Sequence, residues 1–206
     1  MHPNPSFHSQ DHAKDIAFVR DRGFGTLVLN GEPVPMVAYV PILLSEDGGQ
    51  VLIHLLRSNP IARALSTPLP ARIVVTGPDA YISPDWYGVE DQVPTWNYVA
   101  VQLTGVLEIL PHGKMREVLD IQSAFYESRL VDKMPWTTDK MSPEVRERMM
   151  RMIVPCRMVV EDIAATWKLG QNKEDTVRER AAAQVTGGIG RDLAALAALM
   201  AEPPDL

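Results

Sequence analysis

The chain has 206 residues, 46% of them hydrophobic, which is enough to bury a core without staples and excludes wholesale disorder. Twenty basic residues against 26 acidic ones leave a net charge of −6, whereas chains that coat nucleic acid or anionic membranes are usually basic. The single cysteine, Cys156, cannot close an internal disulfide and fits a reducing cytoplasm.

The stretch from His2 to Asp15 is polar and lacks the apolar core of a signal peptide. No apolar run approaches the ~18 residues of a bilayer span, so a soluble, cytoplasmic protein with no membrane partner is expected. From Gly23 to Leu110 the pattern is β. Phe24 to Leu29 is a short strand closed by the turn dipeptide Asn30-Gly31. Val37 to Leu44 follows, with Pro41 demanding an edge or a bulge. After the Asp47-Gly48-Gly49 turn, Val51 to Leu56 reads as a strand buried on both faces. Ala71 to Thr76 reads as a strand that stops at Gly77-Pro78. Tyr98 to Thr104 alternates, with Val99, Val101 and Leu103 on one face, and Gly105 is expected to kink it before Val106 to Leu110. Some six strands with short turns predict a closed or nearly closed antiparallel barrel.

At Pro111 the periodicity becomes helical. Helices are predicted over 112–131, 142–152 and 175–201, the second opened by Ser142-Pro143 as N-cap and first residue, the third interrupted at Gly187-Gly188. Val145, Met149 and Met152 are expected on one side of the second. Strand character returns over Met158 to Val160 and Ile163 to Leu169. The expectation is one domain, 1–206, mainly β with peripheral helices (α+β).

The usual catalytic and metal signatures are missing. His8 and His12 are four apart but have no carboxylate or thiol partner at ligand spacing, so no metal site is expected. Cys156 has no nucleophile signature around it. Gly23-x-Gly25 and Gly187-Gly188-x-Gly190 both lack the strand-to-helix context of a nucleotide loop. Four polar–aromatic clusters remain: His54 to Pro60, Tyr81 to Tyr87, Val93 to Tyr98 and Trp167 to Lys173. In the first, Arg57 and Ser58 at a strand exit offer a fork of donors suited to a phosphate. The clusters hold three of the four tryptophans, and they mix flat apolar surface with amides and hydroxyls, as a planar ligand requires.

These clusters carry a resemblance. The spaced motifs Met1-x-Pro3-x-x-x-Phe7, Phe24-Gly25-Thr26-Leu27, His54-x-x-Arg57-x-Asn59-Pro60, Gly77-Pro78-x-Ala80-Tyr81-Ile82-Ser83-Pro84-x-Trp86-Tyr87, Val93-Pro94-Thr95-Trp96-Asn97-Tyr98 and Trp167-Lys168-Leu169-x-Gln171-Asn172-Lys173 run in order through nearly the whole chain. In them the sequence resembles the PaiB-type FMN-binding negative transcriptional regulators, relatives of the pyridoxamine-phosphate-oxidase-like proteins. It departs from the family at His2, where Tyr is frequent, at Gly23, where Pro is frequent, and at Ile61, where Gln is frequent. The resemblance implies a split β-barrel of the FMN-binding type, a homodimer, and FMN between subunits. It implies that Arg57 and its turn, with Ser58 and Asn59, grip the phosphate and ribityl chain, that His54 also binds the cofactor, that Thr95, Trp96 and Asn97 line the flavin, and that Lys168, Gln171 and Asn172 reach a partner's flavin. Three function classes follow: a flavin-dependent sensor or regulator, an FMN-dependent oxidoreductase on a small substrate, and a haem-handling split barrel. The low basic surplus of every helix predicts no direct DNA binding.

Overall fold

A computed structural model describes residues 2–205. Its helices are α1 (His12–Arg22), α2 (Pro60–Ala64), α3 (Met115–Glu127), α4 (Pro143–Met150), α5 (Asp175–Val185) and α6 (Leu193–Ala201). Its strands are β1 (Phe24–Leu29), β2 (Met36–Pro41), β3 (Leu43–Leu44), β4 (Gln50–Leu56), β5 (Leu69–Ile82), β6 (Thr95–Ile109), β7 (Ile153–Lys168) and β8 (Gly190–Arg191). They form one sheet in the order β2-β1-β5-β6-β7-β4-β3, with β8 added to β5. The described residues divide into two compact units, one from residues 2–18, 74–102 and 163–205, the other from Val19–Ile73 and Leu103–Asp162.

The Val19–Ile73 and Leu103–Asp162 unit contains the edges of the sheet. β1 pairs with β2, Phe24 opposite Pro41 and Leu29 opposite Met36, and β4 pairs with β7, Gln50 opposite Val159 and Leu56 opposite Ile153. β2 and β3 are separated by Ile42 alone, yet they stand at opposite ends of the strand order. The sheet therefore curls until its two edges meet at a corner. Gly23 and Tyr126 secure that corner. The Ile42 N–H donates to the Gly23 carbonyl (2.9 Å), and the Tyr126 hydroxyl lies on the carbonyls of both Gly23 (2.8 Å) and Ile42. Gly23 has φ +60°, and a Cβ there would meet the Tyr126 ring at 2.7 Å, so only glycine fits. Pro41 ends β2 at the sheet edge, where its missing N–H costs no ladder bond. Met115, Val118 and Met150 bring α3 and α4 onto Leu52 and Ile153.

In the other unit, α5 and α6 pack together around Ala181, Val185, Leu196 and Met200, all buried. Phe18 meets Trp167 edge to face at 5.5 Å, and the Trp167 indole N–H donates to the buried Asp15 carboxylate (2.8 Å).

Several boundaries differ from the sequence reading. β5 runs straight through Gly77-Pro78. Gly77 is small because the Phe18 ring lies 2.5 Å from where its Cβ would be, so the residue marks a close approach and no turn. β6 is likewise unbroken at Gly105, where a Cβ would fall 1.9 Å from the Val159 carbonyl oxygen. β7 is one 16-residue strand that keeps the exposed Glu161 and Asp162 within it. The helix expected to Val131 stops at Glu127. Ser128 bonds back to the Phe125 carbonyl (2.9 Å), and Asp132 at φ +62° turns the chain back. The helix expected over 142–152 ends at Met150, and it buries Met150 while Met149 and Met152 stay exposed. In the 175–201 region the two expected helices are found as α5 and α6 on either side of the Gly187-Gly188 stop, and the one difference is that Gly190–Arg191 pair as β8, so that α6 begins at Leu193. The sequence reading missed α1. Its apolar stripe is thin, and its start is marked by Asp11, which accepts the Lys14 N–H (3.1 Å).

Alanine at Gly105 should destabilise the protein by about 3 kcal/mol, because backbone on the facing strand cannot yield to the added methyl. Urea unfolding of Gly105→Ala measures it, and a loss under ~1 kcal/mol would contradict the close approach.

Candidate functional site

The sequence-predicted site residues fall into three places. The first is the turn after β4. Arg57 leaves the strand with its backbone N–H on the Met152 carbonyl (2.8 Å). Its guanidinium turns back over β7, Nε to the Arg151 carbonyl (3.1 Å) and Nη2 to the Ile153 carbonyl (3.3 Å). The fork is thus fixed by two of its donors while the side chain remains exposed. Ser58 is exposed beside it. Asn59 is spent on the fold, its Oδ1 capping α2 by accepting the Ile61 N–H (2.9 Å). An oriented, exposed guanidinium next to an exposed hydroxyl suits a phosphate.

The second place is the side of β4 that faces α3. His54 is half-buried there, in a cleft of about 230 Å³ walled by Pro41, Leu119, Tyr126 and Trp136. Its Nδ1 lies 3.0 Å from the Gln122 side-chain oxygen, and the Gln122 amide donates to the Leu52 carbonyl (2.9 Å). Gln122 is buried on α3. The chain from Pro135 to Asp139 is stapled to α3 by polar contacts. Glu127 accepts the Trp136 N–H (2.7 Å) and pairs with Lys133, and Asp120 accepts the Thr138 hydroxyl (2.6 Å). The Lys133 ammonium, then the Trp136 N–H, hold the Glu127 carboxyl below the ordinary carboxylate range.

The third place joins the start of β6 to the end of β7. Lys168 Nζ donates to the Thr95 hydroxyl, uniting two of the predicted segments. Burial lowers the Lys168 pKa from the usual amine value. Trp96 is 47% exposed and meets Tyr81 edge to face. Asn97 points inward, 1% exposed, its amide on the Met200 sulfur (3.4 Å), which takes it out of reach of a ligand at the surface. Gln171 closes the tight turn at Gly170, φ +85°, accepting the Leu169 N–H (2.8 Å) and donating to the Trp167 carbonyl (2.6 Å). Asn172 is exposed. The N-terminal segment lies against this strand through the His2 N–H on the Thr166 hydroxyl (3.2 Å). Among the described residues no group of three or more His, Cys, Asp or Glu is gathered as a metal site.

A family model described as "Putative FMN-binding domain" matches residues 1–162. The chain belongs to this FMN-binding family. The protease synthase and sporulation protein PAI 2 of Bacillus subtilis (strain 168) is 33% identical over 175 residues, 84% of this chain and 83% of that protein. Among solved structures, the FAD and heme binding protein of Mycobacterium smegmatis has 16% identity and a TM-score of 0.57 over 79% of this chain and 74% of that one. The flavocytochrome Anf3 of Azotobacter vinelandii has 13% identity and a TM-score of 0.56 over 82% of this chain and 73% of that one. At those identities the likeness is one of fold, the split β-barrel. The cofactor of the family, FMN, fits what the residues offer: a fixed guanidinium for its phosphate, and flat apolar walls with polar edges for its ring.

The members of the His54 cleft that sequence reading missed are Gln122, Tyr126 and Trp136. Trp136 is the one tryptophan outside the four polar–aromatic clusters, and no local pattern separates it from a loop residue.

Because Gln171 serves the turn, Gln171→Ala should cost roughly 1–2 kcal/mol of stability by freeing two buried backbone groups. Thermal unfolding of the variant checks this, and an unchanged midpoint would show that the side chain is free for another partner.

Proposed function

We propose that the protein is an FMN-binding regulator of the PaiB type, working as a homodimeric flavin-dependent sensor. The observation that carries the binding mode is the turn after β4, where carbonyls fix the Arg57 fork and leave it exposed beside Ser58. Arg57 and Ser58 bind the phosphate, and Asn59 shapes the turn. The regulatory role is supported by the likeness to PAI 2 over most of both chains. When bound, the flavin supplies reversible hydride and electron chemistry, and the protein orients it and excludes water.

A second copy of the chain is the expected partner. On one face of β1 and β2, Phe24 (56% exposed), Tyr39 (73%) and Val37 (53%) leave apolar surface for such a partner to cover. In the dimer, Thr95, Trp96 and Lys168 of one copy meet the flavin held at the other copy's β4 turn. Asn172 lies at their margin, and Asn97 and Gln171 act through packing. Sensing proceeds without direct DNA contact. No described helix has a basic surplus above one charge: α1 sets three basic residues against two acidic ones, α2 has Arg63 alone, and α4 has two Arg against two Glu, its Arg146 turned onto the Thr138 carbonyl (3.3 Å) and the Asp139 carboxylate (3.5 Å).

Released cofactor should be FMN by mass spectrometry, and Arg57→Ala should weaken FMN about ten- to a hundredfold, the worth of a charge-assisted fork. Recovery of FAD alone, or unchanged affinity in a folded variant, would defeat the phosphate assignment. In anisotropy titrations against its own promoter region at ~0.15 M salt, no sequence-specific complex tighter than about 10⁻⁷ M should form; a tighter one would place the protein on DNA.

A further inference from the structure

We propose that the cleft between β4, α3 and the Pro135–Asp139 chain receives the pyrimidine edge of the flavin ring, with His54 Nε2 accepting the flavin N3–H. The inference rests on the FMN reading above and assigns the ring to one set of atoms. Hydrogen-bond logic fixes the chemistry of His54. Gln122 spends its amide nitrogen on the Leu52 carbonyl, so the atom it turns to His54 is its oxygen, an acceptor. Reversing the amide would set two oxygens against each other at Leu52. His54 Nδ1 must therefore carry the proton, and in the neutral ring Nε2 is left as a lone-pair acceptor. Nε2 has no partner among the described residues, and His54 lines the cleft. Gln122 is buried and tied at both ends, so the tautomer is built into the core.

A bare acceptor in a cleft calls for a ligand with a donor. On the flavin's pyrimidine edge the one donor is N3–H, flanked by two carbonyl oxygens. The Ser123 hydroxyl stands in the same cleft as a donor for one of them. Pro41, Leu119, Tyr126 and Trp136 supply apolar wall for a flat ring, and a second cleft of about 400 Å³ adjoins at Ser123 and Trp136. The spacing also suits the phosphate grip. Arg57 follows His54 by three residues and leaves the end of the same strand, which keeps the phosphate grip close in the chain to the ring site. The polar staples at Glu127 and Asp120 hold the far wall in place without filling the space behind it.

The test compares FMN with 3-methyl-FMN, which lacks the donor, on the full chain freed of flavin. The wild type should bind the methylated flavin at least about tenfold more weakly, and His54→Phe should bind the two within about threefold of each other. With ¹⁵N-labelled FMN and protein, a through-hydrogen-bond coupling between flavin N3 and His54 Nε2 should appear by NMR, a readout that does not depend on the variant folding. Trp136→Ala, on a surface segment, should restore part of the bound flavin's fluorescence. Equal binding of the two flavins by the wild type, or discrimination retained in folded His54→Phe, overturns the inference and leaves FMN binding standing. Failure of the wild type to bind FMN at all overturns the reading beneath it.

Discussion

The corner at Ile42 is the constraint on which the Val19–Ile73 and Leu103–Asp162 unit depends. One residue carries the chain from one end of the strand order to the other, and no flat sheet permits that. Closure places the Gly23 and Ile42 carbonyls at the end of the β1–β2 ladder, where the Ile42 N–H meets only one of them. A single phenol resolves the problem: Tyr126 brings its hydroxyl to the Gly23 and Ile42 carbonyls, and Gly23 clears room for the ring. Burial raises the Tyr126 pKa, so the hydroxyl keeps its proton for this role. The same closure puts Pro41 opposite His54 and brings α3 across both, so barrel formation and construction of the His54 cleft are one event.

Much of this was legible in the sequence. β1 is found at the predicted residues, and β6 buries Asn97, Val99, Val101, Leu103 and Leu107 on one side as its alternation requires. Alternation is a local property, fixed by the two-residue repeat of the strand. What was not legible was the meaning of glycine. Gly77 and Gly105 look like breaks, and both are places where another chain segment needs the volume of a Cβ. That information lies in Phe18 and Val159, far away in sequence.

The candidate site divides in the same way. Arg57 and Ser58 stand, as their place at a strand exit leads one to expect, with exposed polar groups. Asn97 and Gln171 carry equally suggestive amides, yet the fold spends them on Met200 and on the Gly170 turn. Side-chain chemistry marks what a residue is able to bind, and only packing decides whether its polar atoms are left over. Gln122 shows the converse: a polar residue inside an apolar helix face, silent in the sequence, determines which nitrogen of His54 is bare.

The staples between α3 and the Pro135–Asp139 chain have a kinetic implication. Arg116 binds Asp120 and Asp139, and Lys133 binds Glu127, all at or near the surface, where Met134 (81% exposed) adds no apolar anchor. Mobile ions weaken such pairs, since the Debye length falls from about 10 Å at 0.1 M to about 3 Å at 1 M. Salt screening therefore loosens the ion pairs of this wall, while the apolar contacts of the core beneath it have no such charges to screen. With the flavin placed as proposed above, its exchange would quicken in concentrated electrolyte, and its retention would record the ionic state of the surroundings.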